Sequence, residues 1–472
     1  MMIRTKILAT VGPACGEVED LRGMVRAGCD ALRINFSHGD DEQRQRFLDN
    51  IRTVEDELSE PLAVMADLCG PKIRVGPISG GSVLLADGQE LAIQREPLEG
   101  RADRISTTLA ELVDCVKVGD AVLLDDGRIR LTVVETNPPA EVRCRVVHGG
   151  VLAEGKGVNL PDTTLSIPSM TEKDRRDVAW IAGRDFDYVA LSFVQSADDV
   201  ESLRRLLRDS GSDAHVVAKI ERPQAVEHID EIVDAADAVM VARGDLGVEM
   251  DLPDVPIAQK RIAALCRRAG KPCIIATQML ESMTNAPQPT RAEVSDVANA
   301  VLDCADVVML SGETAVGDYP TAAVAMMDSI VRETESYADT MGGTVEVTYA
   351  PARTTAALAG AVGEIIRRED IAAVAVFTAT GTTARVMSKN RPPVPILALS
   401  PDEKVVRRMQ LYYGVQPVRA DAPEHTRDVL AKASEFAMQI GAAGKGQKLL
   451  VLSGRPIGTP GTTNTLVVHT VE

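Results

Sequence analysis

Residues 215–221 read HVVAKIE, a short apolar run that ends in a lysine and a glutamate. The run is rich in Val and Ile and too short for a typical helix, which predicts a buried strand. Seven other runs of this kind occur, with helical patterns between them: KILATV (6–11), ALRINF (31–36), LAVMADL (62–68), YVALSF (188–193), AVMVARGD (238–245), CIIATQM (273–279) and DVVMLSGE (306–313). Strands that alternate with helices form parallel sheets, and eight such units close into a barrel. The predicted fold class is therefore α/β, with a (β/α)8 TIM barrel.

Two other segments have different patterns. Residues 69–168 contain short β-type runs broken by Gly and Asp, which predicts an inserted all-β domain. Because this segment leaves the carboxyl end of a barrel strand, we expect it to stand over the active face as a lid. Strands and helices resume after a Gly-containing stretch near 341–350. The predicted domains are a discontinuous barrel (1–68 and 169–340), the lid (69–168) and a C-terminal α/β regulatory and oligomerisation domain (341–472).

The composition limits the classes of function. The 472 residues carry a net charge of −18, which disfavours binding to nucleic acid or anionic membranes. An anionic substrate must therefore meet a local basic cluster.

The N-terminus has no signal-like apolar core and the apolar runs are strand-sized, so we expect a cytoplasmic protein. The 8 cysteines are scattered without a CxxC pair, which makes a zinc or disulfide framework unlikely to be the basis of the fold.

The ends of the predicted strands are polar. Lys219 and Glu221 are two residues apart at the end of one strand, so their side chains point the same way. In a barrel the loops that follow the strands build the active site. Other polar or loop-forming residues lie at or near the ends of five further strands: Arg33, Asn35, Ser37, His38, Asp67, Arg243, Gly244, Asp245, Thr277, Gln278, Ser311 and Glu313. We expect these groups to converge at one mouth.

Two of these carboxylates suit a divalent metal. Glu221 and Asp245 would hold Mg²⁺, with water and substrate oxygens completing its octahedron. Arg33 and Lys219 would hold phosphate. Phosphoryl transfer needs mainly positioning and neutralisation of charge, which this set of residues could supply. The chain has neither a Walker A sequence nor a protein-kinase signature.

At this point the sequence resembles the pyruvate kinase family over essentially its full length. The ordered segments that carry the resemblance are TVGPAC (10–15), LRINFSHG (32–39), GPKIR (70–74), LPDTTLSIPSMTEKD (160–174), KIERP (219–223), MVARGDLGVE (240–249), ATQMLESM (276–283), PTRAEVSDVANAVLD (289–303) and MLSGETAVGDYP (309–320). The resemblance implies phosphoryl transfer from phosphoenolpyruvate to ADP, giving pyruvate and ATP in the final step of glycolysis.

The resemblance also implies roles for individual residues. Lys219 and Arg33 would bind the migrating phosphoryl group, and Glu221 and Asp245 would ligate Mg²⁺ or Mn²⁺. The substrate carboxylate would lie against the amides of Gly244 and Asp245 and the Thr277 hydroxyl, at a helix start that suits an anion. The proton for the enolate would come from the region of Thr277, Ser311 and Glu313, and the nucleotide would contact Arg74, Lys173, Asn35 and His38.

Lys72 departs from the family pattern. Relatives that require K⁺ hold it among positions that match Asn35, Ser37, Asp67 and the Leu68 backbone, and they carry Glu where this chain has Lys72. We predict that the Lys72 ammonium replaces the monovalent cation, so that K⁺ is not required; the alternative is a surface lysine without this role. Cys69 also stands where a polar residue is usual, either as a reactive thiol or as a neutral replacement.

A second anion site is predicted in the C-terminal domain. The run FTATGTTARVM (377–387) resembles the effector loop of regulated pyruvate kinases, and TPGTTN (459–464) resembles its partner segment. The predicted site comprises Thr378, Thr380, Gly381, Thr382, Thr383, Arg455, Thr459, Gly461 and Asn464. Its expected activator is AMP or a sugar phosphate, and the family implies a homotetramer. The alternative is that these residues only cap helices and turns.

Two other functions would account for part of the sequence. A metal-dependent aldolase of the phosphoenolpyruvate/pyruvate type would share the barrel, the Mg²⁺ and enolate chemistry, but it would leave Arg74, Lys173 and the third domain unexplained. An inactive metabolite-binding homologue has no support, because Lys219, Glu221 and Thr277 are present.

Overall fold

A computed structural model describes residues 3–163, 168–341, 353–455 and 461–472. The chain begins with β1 (Lys6–Val11), α1 (Val18–Arg26), β2 (Ala31–Asn35), α2 (Asp41–Leu58) and β3 (Ala63–Asp67). All six residues of β1 are buried, as expected for a strand covered on both faces. Helix α2 starts where the side chain of Asp40 accepts a hydrogen bond from the Gln43 amide at 2.8 Å.

The next segment is almost entirely β-structure. It contains β4 (Ser82–Leu85), β5 (Glu90–Gln94), β6 (Arg104–Ser106), α3 (Leu112–Cys115), β7 (Ala121–Leu124), β8 (Ile129–Asn137), β9 (Glu141–His148), β10 (Gly150–Ala153) and β11 (Val158–Asn159). Six strands form one sheet in the order β11-β7-β8-β9-β5-β6, and β10 pairs with β4. Alternate residues of β9 are buried, so one face of the strand packs on the segment's own core. The structure thus has an all-β insertion after β3.

The chain then returns to alternating helices and strands. These are α4 (Glu172–Ala182), β12 (Tyr188–Leu191), α5 (Ala197–Asp209), β13 (His215–Ile220), α6 (Pro223–Glu227), α7 (Ile229–Ala235), β14 (Ala238–Ala242), α8 (Arg243–Glu249), α9 (Val255–Ala269), β15 (Cys273–Ala276), α10 (Arg291–Leu302), β16 (Val307–Leu310), α11 (Gly312–Ala315) and α12 (Pro320–Met341).

The barrel is confirmed. Its strands close in the order β1-β16-β15-β14-β13-β12-β3-β2, and every neighbouring pair is parallel. Several strands end earlier than the sequence predicts. Phe193, Thr277 and Gln278 have positive φ values of 55, 66 and 54°, so the backbone turns away from the sheet there. Arg243 already begins helix α8, and the predicted strand therefore stops at Ala242.

The C-terminal part is a second α/β unit, as predicted. It contains α13 (Arg353–Ile366), β17 (Ile371–Phe377), α14 (Thr382–Lys389), β18 (Ile396–Ser400), α15 (Glu403–Arg408), β19 (Val415–Arg419), α16 (Thr426–Gln439), β20 (Lys448–Gly454) and β21 (Thr463–Thr470). The sheet order is β19-β18-β17-β20-β21, and only β21 in this sheet runs antiparallel to its neighbour. The short edge strand β19 contains Pro417, and a proline weakens the sequence pattern that predicts a strand, so periodicity alone does not indicate a strand there.

The amino end of the barrel, called the foot below, is covered by this C-terminal unit. Tyr188 in β12 donates a hydrogen bond from Oη to the carbonyl of Arg408 at 2.6 Å. Apolar residues inside the barrel and residues of the C-terminal unit form one continuous buried cluster, which includes Leu8, Met65, Val374 and Leu411. The opposite, carboxyl end of the barrel is called the mouth, and the predicted active-site residues lie there. Within the described residues, no helix is both long enough and apolar enough to span a bilayer.

Candidate active site

A buried network of charges lies at the mouth. Lys219 Nζ is 3.1 Å from Asp67 Oδ1 and 2.9 Å from Glu221 Oε1, and it donates a hydrogen bond to Ser192 Oγ at 2.7 Å. Arg33 Nε donates to the other oxygen of Asp67 at 2.6 Å. The predicted residues Arg33, Lys219 and Glu221 are therefore joined through Asp67. Ser192, which follows β12, was not among the predicted site residues.

The carboxylates keep Lys219 charged. Burial alone would lower the pKa of Lys219, but the carboxylates of Asp67 and Glu221 outweigh burial and raise it above its ordinary value. Burial favours a raised pKa for Asp67, and there Lys219 and Arg33 outweigh it and lower the pKa. The ammonium of Lys219 is thus a fixed positive charge at the mouth, with its position set by three oxygen atoms.

Glu221 and Asp245 form the candidate metal centre. Glu221 is 2% exposed and accepts a hydrogen bond from the Phe193 amide at 2.7 Å. Its pKa is raised by burial and by the nearby carboxylate of Asp245, while Lys219 opposes the shift. Two carboxylates that repel each other, one buried and one half-buried, suit a hard divalent cation, which prefers oxygen ligands. The described residues contain no cluster of three or more His, Cys, Asp or Glu side chains suited to a metal, so the protein would supply few ligands.

The loop after β15 contacts the start of α8. Thr277 Oγ1 accepts a hydrogen bond from the Gly244 amide at 2.7 Å and donates one to the Ala276 carbonyl at 2.6 Å. A Cβ added to Gly244 would lie 3.3 Å from Thr277 Oγ1, so a glycine allows this close approach. Gly244, Asp245 and Thr277 are adjacent, as the carboxylate-binding role requires.

A buried arginine supports this loop. Arg243 Nη2 donates to the Thr277 carbonyl at 2.8 Å, and the guanidinium pairs with both oxygens of Asp296 at 2.7 Å. Arg243 was noted at a strand end but was given no role, and Asp296 of α10 was missed. Asp296 lies within the family-like segment 289–303, but only the tertiary structure brings it to Arg243.

Glu313 connects two loops of the mouth. Its Oε1 accepts from the Leu280 amide at 3.1 Å and its Oε2 from the Ser311 amide at 2.7 Å. Each carboxylate oxygen is therefore bound to a backbone amide, and the side chain is 2% exposed. This geometry gives Glu313 a structural contact with Ser311. A role in proton delivery stays a prediction.

The predicted nucleotide residues lie on the barrel and on the β-insertion. Lys173 Nζ donates to the Phe36 carbonyl at 2.8 Å and pairs with Asp177 at 2.6 Å, so it lies against the loop after β2. Asn35, the last residue of β2, accepts a hydrogen bond from the Ser37 amide at 3.0 Å, and the exposed His38 lies in the loop that follows. By contrast, Arg74 donates to the Gly155 carbonyl at 2.8 Å and so binds the backbone of the β-insertion.

The predicted monovalent-cation pocket is only partly assembled. Asn35 and Asp67 are partners in the β2–β3 register, and the Leu68 carbonyl accepts from Ser192 Oγ at 2.8 Å. Lys72 is exposed and lines a different part of the mouth. In the described parts of the chain, no hydrogen bond or ion pair joins its ammonium to Asn35, Ser37, Asp67 or Leu68. Cys69 is half-buried and unpaired.

Two cavities lie between the mouth and the β-insertion. The smaller, about 270 Å³, is lined by residues from both, including Lys72, Asn159, Gly244 and Asp245. The larger, about 1090 Å³, opens alongside α8 and α9. Glu249 lines both cavities and accepts a hydrogen bond from Asn159 Nδ2 at 2.7 Å. The insertion thus contacts the barrel beside the candidate site, and its role as a lid stays a prediction.

The predicted effector segments meet in the C-terminal unit. Thr378 Oγ1 accepts from the Gly381 amide at 3.0 Å, and the hydroxyls of Thr383 and Thr463 are 2.6 Å apart. Thr380 and Thr382 form a hydroxyl contact at 3.0 Å. Asn464 exchanges two hydrogen bonds with the Arg455 backbone, and Gly461 has a positive φ of 78°. Thr459 lies outside the described residues.

The fold and site together define a class of protein. A parallel barrel that brings buried cations and a carboxylate pair to its mouth is an enzyme scaffold for anionic substrates and a divalent metal. Comparison with known proteins makes this specific. A family model described as "Pyruvate kinase, barrel domain" matches residues 2–324, and one described as "Pyruvate kinase, alpha/beta domain" matches residues 356–469.

Individual relatives agree with the family models. The chain is 40% identical to a pyruvate kinase of Mycobacterium intracellulare, covering 100% of this chain and 99% of that protein. It is 39% identical to a pyruvate kinase of Methylorubrum extorquens, with 98% and 96% covered. A crystal structure of a Cryptosporidium parvum pyruvate kinase superposes with a TM-score of 0.92 at 32% identity, covering 100% of this chain and 97% of the other. The chain belongs to the pyruvate kinase family.

Proposed function

We propose that this chain transfers the phosphoryl group of phosphoenolpyruvate to ADP, forming pyruvate and ATP. The observation that carries the proposal is the arrangement of Lys219 between Asp67 and Glu221, with Arg33 on the far oxygen of Asp67. This arrangement presents two cations at the mouth of the barrel. The pyruvate kinase family models match residues 2–324 and 356–469 of the same chain. Metal-dependent aldolase activity, the main alternative, has no comparable support.

Lys219 and Arg33 would act on the migrating phosphoryl group. A loose phosphoryl-transfer transition state spreads negative charge over three oxygens, and fixed cations stabilise it without reorganising. Asp67 sets the distance between the two cations because it binds both. Ser192 fixes the Lys219 ammonium from a third direction.

Glu221 and Asp245 would hold Mg²⁺ or Mn²⁺. The bound cation would neutralise charge on the substrate oxygens during transfer. Burial and the carboxylate of Asp245 raise the pKa of Glu221, and a bound divalent cation would stabilise its ionised form. Gly244 and Thr277, which are hydrogen-bonded to each other, would together with Asp245 orient the substrate carboxylate.

Protonation of the enolate and binding of the nucleotide complete the proposal. We assign the proton to the region of Thr277 and Ser311, with Glu313 holding the Ser311 amide in place. We assign nucleotide contacts to Lys173, Asn35 and His38 on the barrel side, and to Arg74 on the insertion, so that closure of the insertion would bring the two sides together.

Lys219→Ala tests the reaction. Pyruvate formation from phosphoenolpyruvate with ADP and Mg²⁺ should fall about 10²- to 10³-fold or more, because charge stabilisation at the transferred group is lost. Arg205→Ala, which removes a cation from the exposed face of α5, is the matched control and should keep full activity. Equal rates for native protein and Lys219→Ala would refute the assignment.

The monovalent cation is tested separately. We propose that Lys72 substitutes for K⁺, since its ammonium already lies at the mouth. Turnover in a buffer whose K⁺ is replaced by a bulky organic cation should stay within about twofold of the K⁺ rate if the fixed ammonium supplies the charge. A collapse of the rate without K⁺ would contradict this role.

Regulation and assembly are also part of the proposal. The contact between Thr383 and Thr463 joins the two predicted effector segments, which supports a phosphate site for AMP or a sugar phosphate. A panel of these compounds should shift the phosphoenolpyruvate saturation curve, and unchanged curves would remove the regulatory proposal. A homotetramer and a cytoplasmic location stay predictions.

A further inference from the structure

Arg222 follows Glu221 directly and precedes the proline that begins α6. Its backbone is extended, with φ −136° and ψ 151°, as expected for a residue before proline. The guanidinium carbon lies 4.9 Å from the centre of the Phe193 ring, which is a cation–π distance. Arg222 is thus fixed at the mouth by its position directly after Glu221 and by the Phe193 ring. The backbone amide of Phe193 also binds Glu221.

This arginine is mostly buried, and none of the described residues forms a hydrogen bond with it. It is 7% exposed, and its Nε has no hydrogen-bond partner among residues 3–163, 168–341, 353–455 and 461–472. None of the ion pairs within these ranges includes Arg222, whereas Arg33 and Arg243 at the same mouth each bind a carboxylate. A buried cation without hydrogen bonds is costly, so its retention here indicates a ligand.

Glu249 does not fill this role. Its charge acts on Arg222 through space, and Arg222 in turn opposes the rise that burial causes in the pKa of Glu249. The Glu249 carboxylate instead binds Asn159 of the β-insertion at 2.7 Å. Glu249 therefore partly offsets the charge of Arg222 without occupying its donors.

The side chain of Arg222 borders a cavity that could hold a ligand. Arg222 lines the cavity of about 270 Å³ together with Lys72, Gly244 and Asp245. The cavity thus places two cations beside the peptide assigned to the substrate carboxylate and beside a candidate metal ligand. A guanidinium offers a planar fork of donors that matches the oxygens of a phosphate.

We propose that Arg222 is a further substrate-binding residue, which donates to a phosphate oxygen of phosphoenolpyruvate or of the nucleotide in this cavity. The proposal rests on the proposed function and adds a residue to it. Arg222 acts by binding, while Lys219 and Arg33 stabilise the transfer itself. Its stacking on Phe193 holds the guanidinium plane in place before substrate arrives.

Steady-state kinetics of Arg222→Gln, with each substrate varied in turn, test this inference. Loss of a charge-assisted hydrogen bond should raise KM for one substrate about 10- to 100-fold, with a smaller change in kcat. A rise for phosphoenolpyruvate identifies that phosphate as the ligand, and a rise for ADP identifies the nucleotide. Arg222→Lys should recover part of the affinity, and Arg205→Gln is the control for a surface charge.

A rescue experiment separates binding from a structural role. Ethylguanidine added to Arg222→Ala should lower the raised KM toward the native value, because a small guanidinium can replace the missing group. Unchanged KM values in Arg222→Gln, or a raised KM that neither lysine nor ethylguanidine improves, would overturn the inference. If the native protein formed no pyruvate, the proposed function would fail, and calorimetric binding of phosphoenolpyruvate and ADP to native protein and Arg222→Gln would still decide the role of Arg222.

Discussion

The two ends of the same barrel use buried charges differently. At the foot, ions pair across the boundary with the C-terminal unit: Lys389 with Asp306 at 2.5 Å and Arg407 with Glu55 at 2.8 Å. At the mouth, Lys219 is shared by two carboxylates, and Arg222 has no ion-pair partner among the described residues. Pairing at the foot holds the two units together, while Arg222 at the mouth keeps its donors for a ligand.

Non-glycine residues with positive φ occur at both ends of the barrel, including Ser59 and Cys304 at the foot. Residues with positive φ in the loops at the mouth include Phe193, Thr277 and Gln278. Such conformations cost about 1–3 kcal/mol each in non-glycine residues and persist where surrounding contacts enforce them. The Thr277 carbonyl is held by Arg243, which supplies one of those contacts. This contact thus helps to hold the Thr277 loop in its conformation.

The largest expected effect on stability is at the foot. Asp306→Ala leaves the fully buried Lys389 ammonium unpaired and removes the acceptor of the Cys273 amide. We expect a loss of about 3–5 kcal/mol in the free energy of unfolding, with the activity of the remaining folded protein retained. Thermal unfolding monitored by calorimetry measures the first, and specific activity the second.

The matched control for Asp306 is an exposed ion pair. Glu364→Ala removes a carboxylate that pairs with Arg367 and Arg368 on the surface of α13, and it should leave the unfolding temperature unchanged. If Asp306→Ala and Glu364→Ala unfolded at the same temperature, the proposed contribution of foot pairing to stability would be wrong.

A smaller effect, on catalysis, is expected at the mouth. Asp296→Ala removes the carboxylate that holds Arg243 and thereby loosens the Thr277 loop. We expect kcat/KM to fall about 10- to 100-fold, because displacement of a binding loop by about 1 Å has effects of this size. Asn299→Ala, one turn further along α10, should be close to native in the same assay. Native kinetics in Asp296→Ala would show that the Arg243 pair does not position the loop.

A third effect, on the pH dependence of stability, is expected at the foot. Burial lowers the pKa of His215, at the start of β13, to about 4, although Asp237 opposes the shift. In the unfolded chain, the imidazole of His215 therefore takes up a proton near its ordinary pKa of about 6.5, while in the folded protein this imidazole stays neutral. Stability is present above about pH 6.5 and is lost as pH falls toward 4, by at most about 3 kcal/mol.

His215→Gln should flatten this dependence of the unfolding temperature between about pH 4 and 6.5. Asp187 acts in the opposite sense, because burial raises its pKa to about 6, so the folded state binds the extra proton there and stability falls as pH rises toward 6. The change of unfolding temperature with pH must therefore be compared between native protein and His215→Gln under the same conditions. Parallel slopes would exclude His215 as the source.

Sequence periodicity predicted much of the fold because barrel strands are buried on both faces. HVVAKIE and KILATV are continuous apolar runs, and the structure places them in β13 and β1. The same signal missed β19, an edge strand with a proline. It also extended several strands too far, because Arg243 and Thr277 read as strand ends until the backbone is known to turn there.

The sequence determined the class of chemistry at the mouth, since Lys219, Glu221 and Asp245 follow apolar runs that must end on one face. Only the tertiary structure decided how the charges are shared. Asp67 joins Arg33 to Lys219, Asp296 holds Arg243, and Arg222 has a cavity instead of a carboxylate. The reason is physical: strand order brings these residues together across long stretches of chain, and the strength of each charge depends on burial and neighbours that no single segment contains.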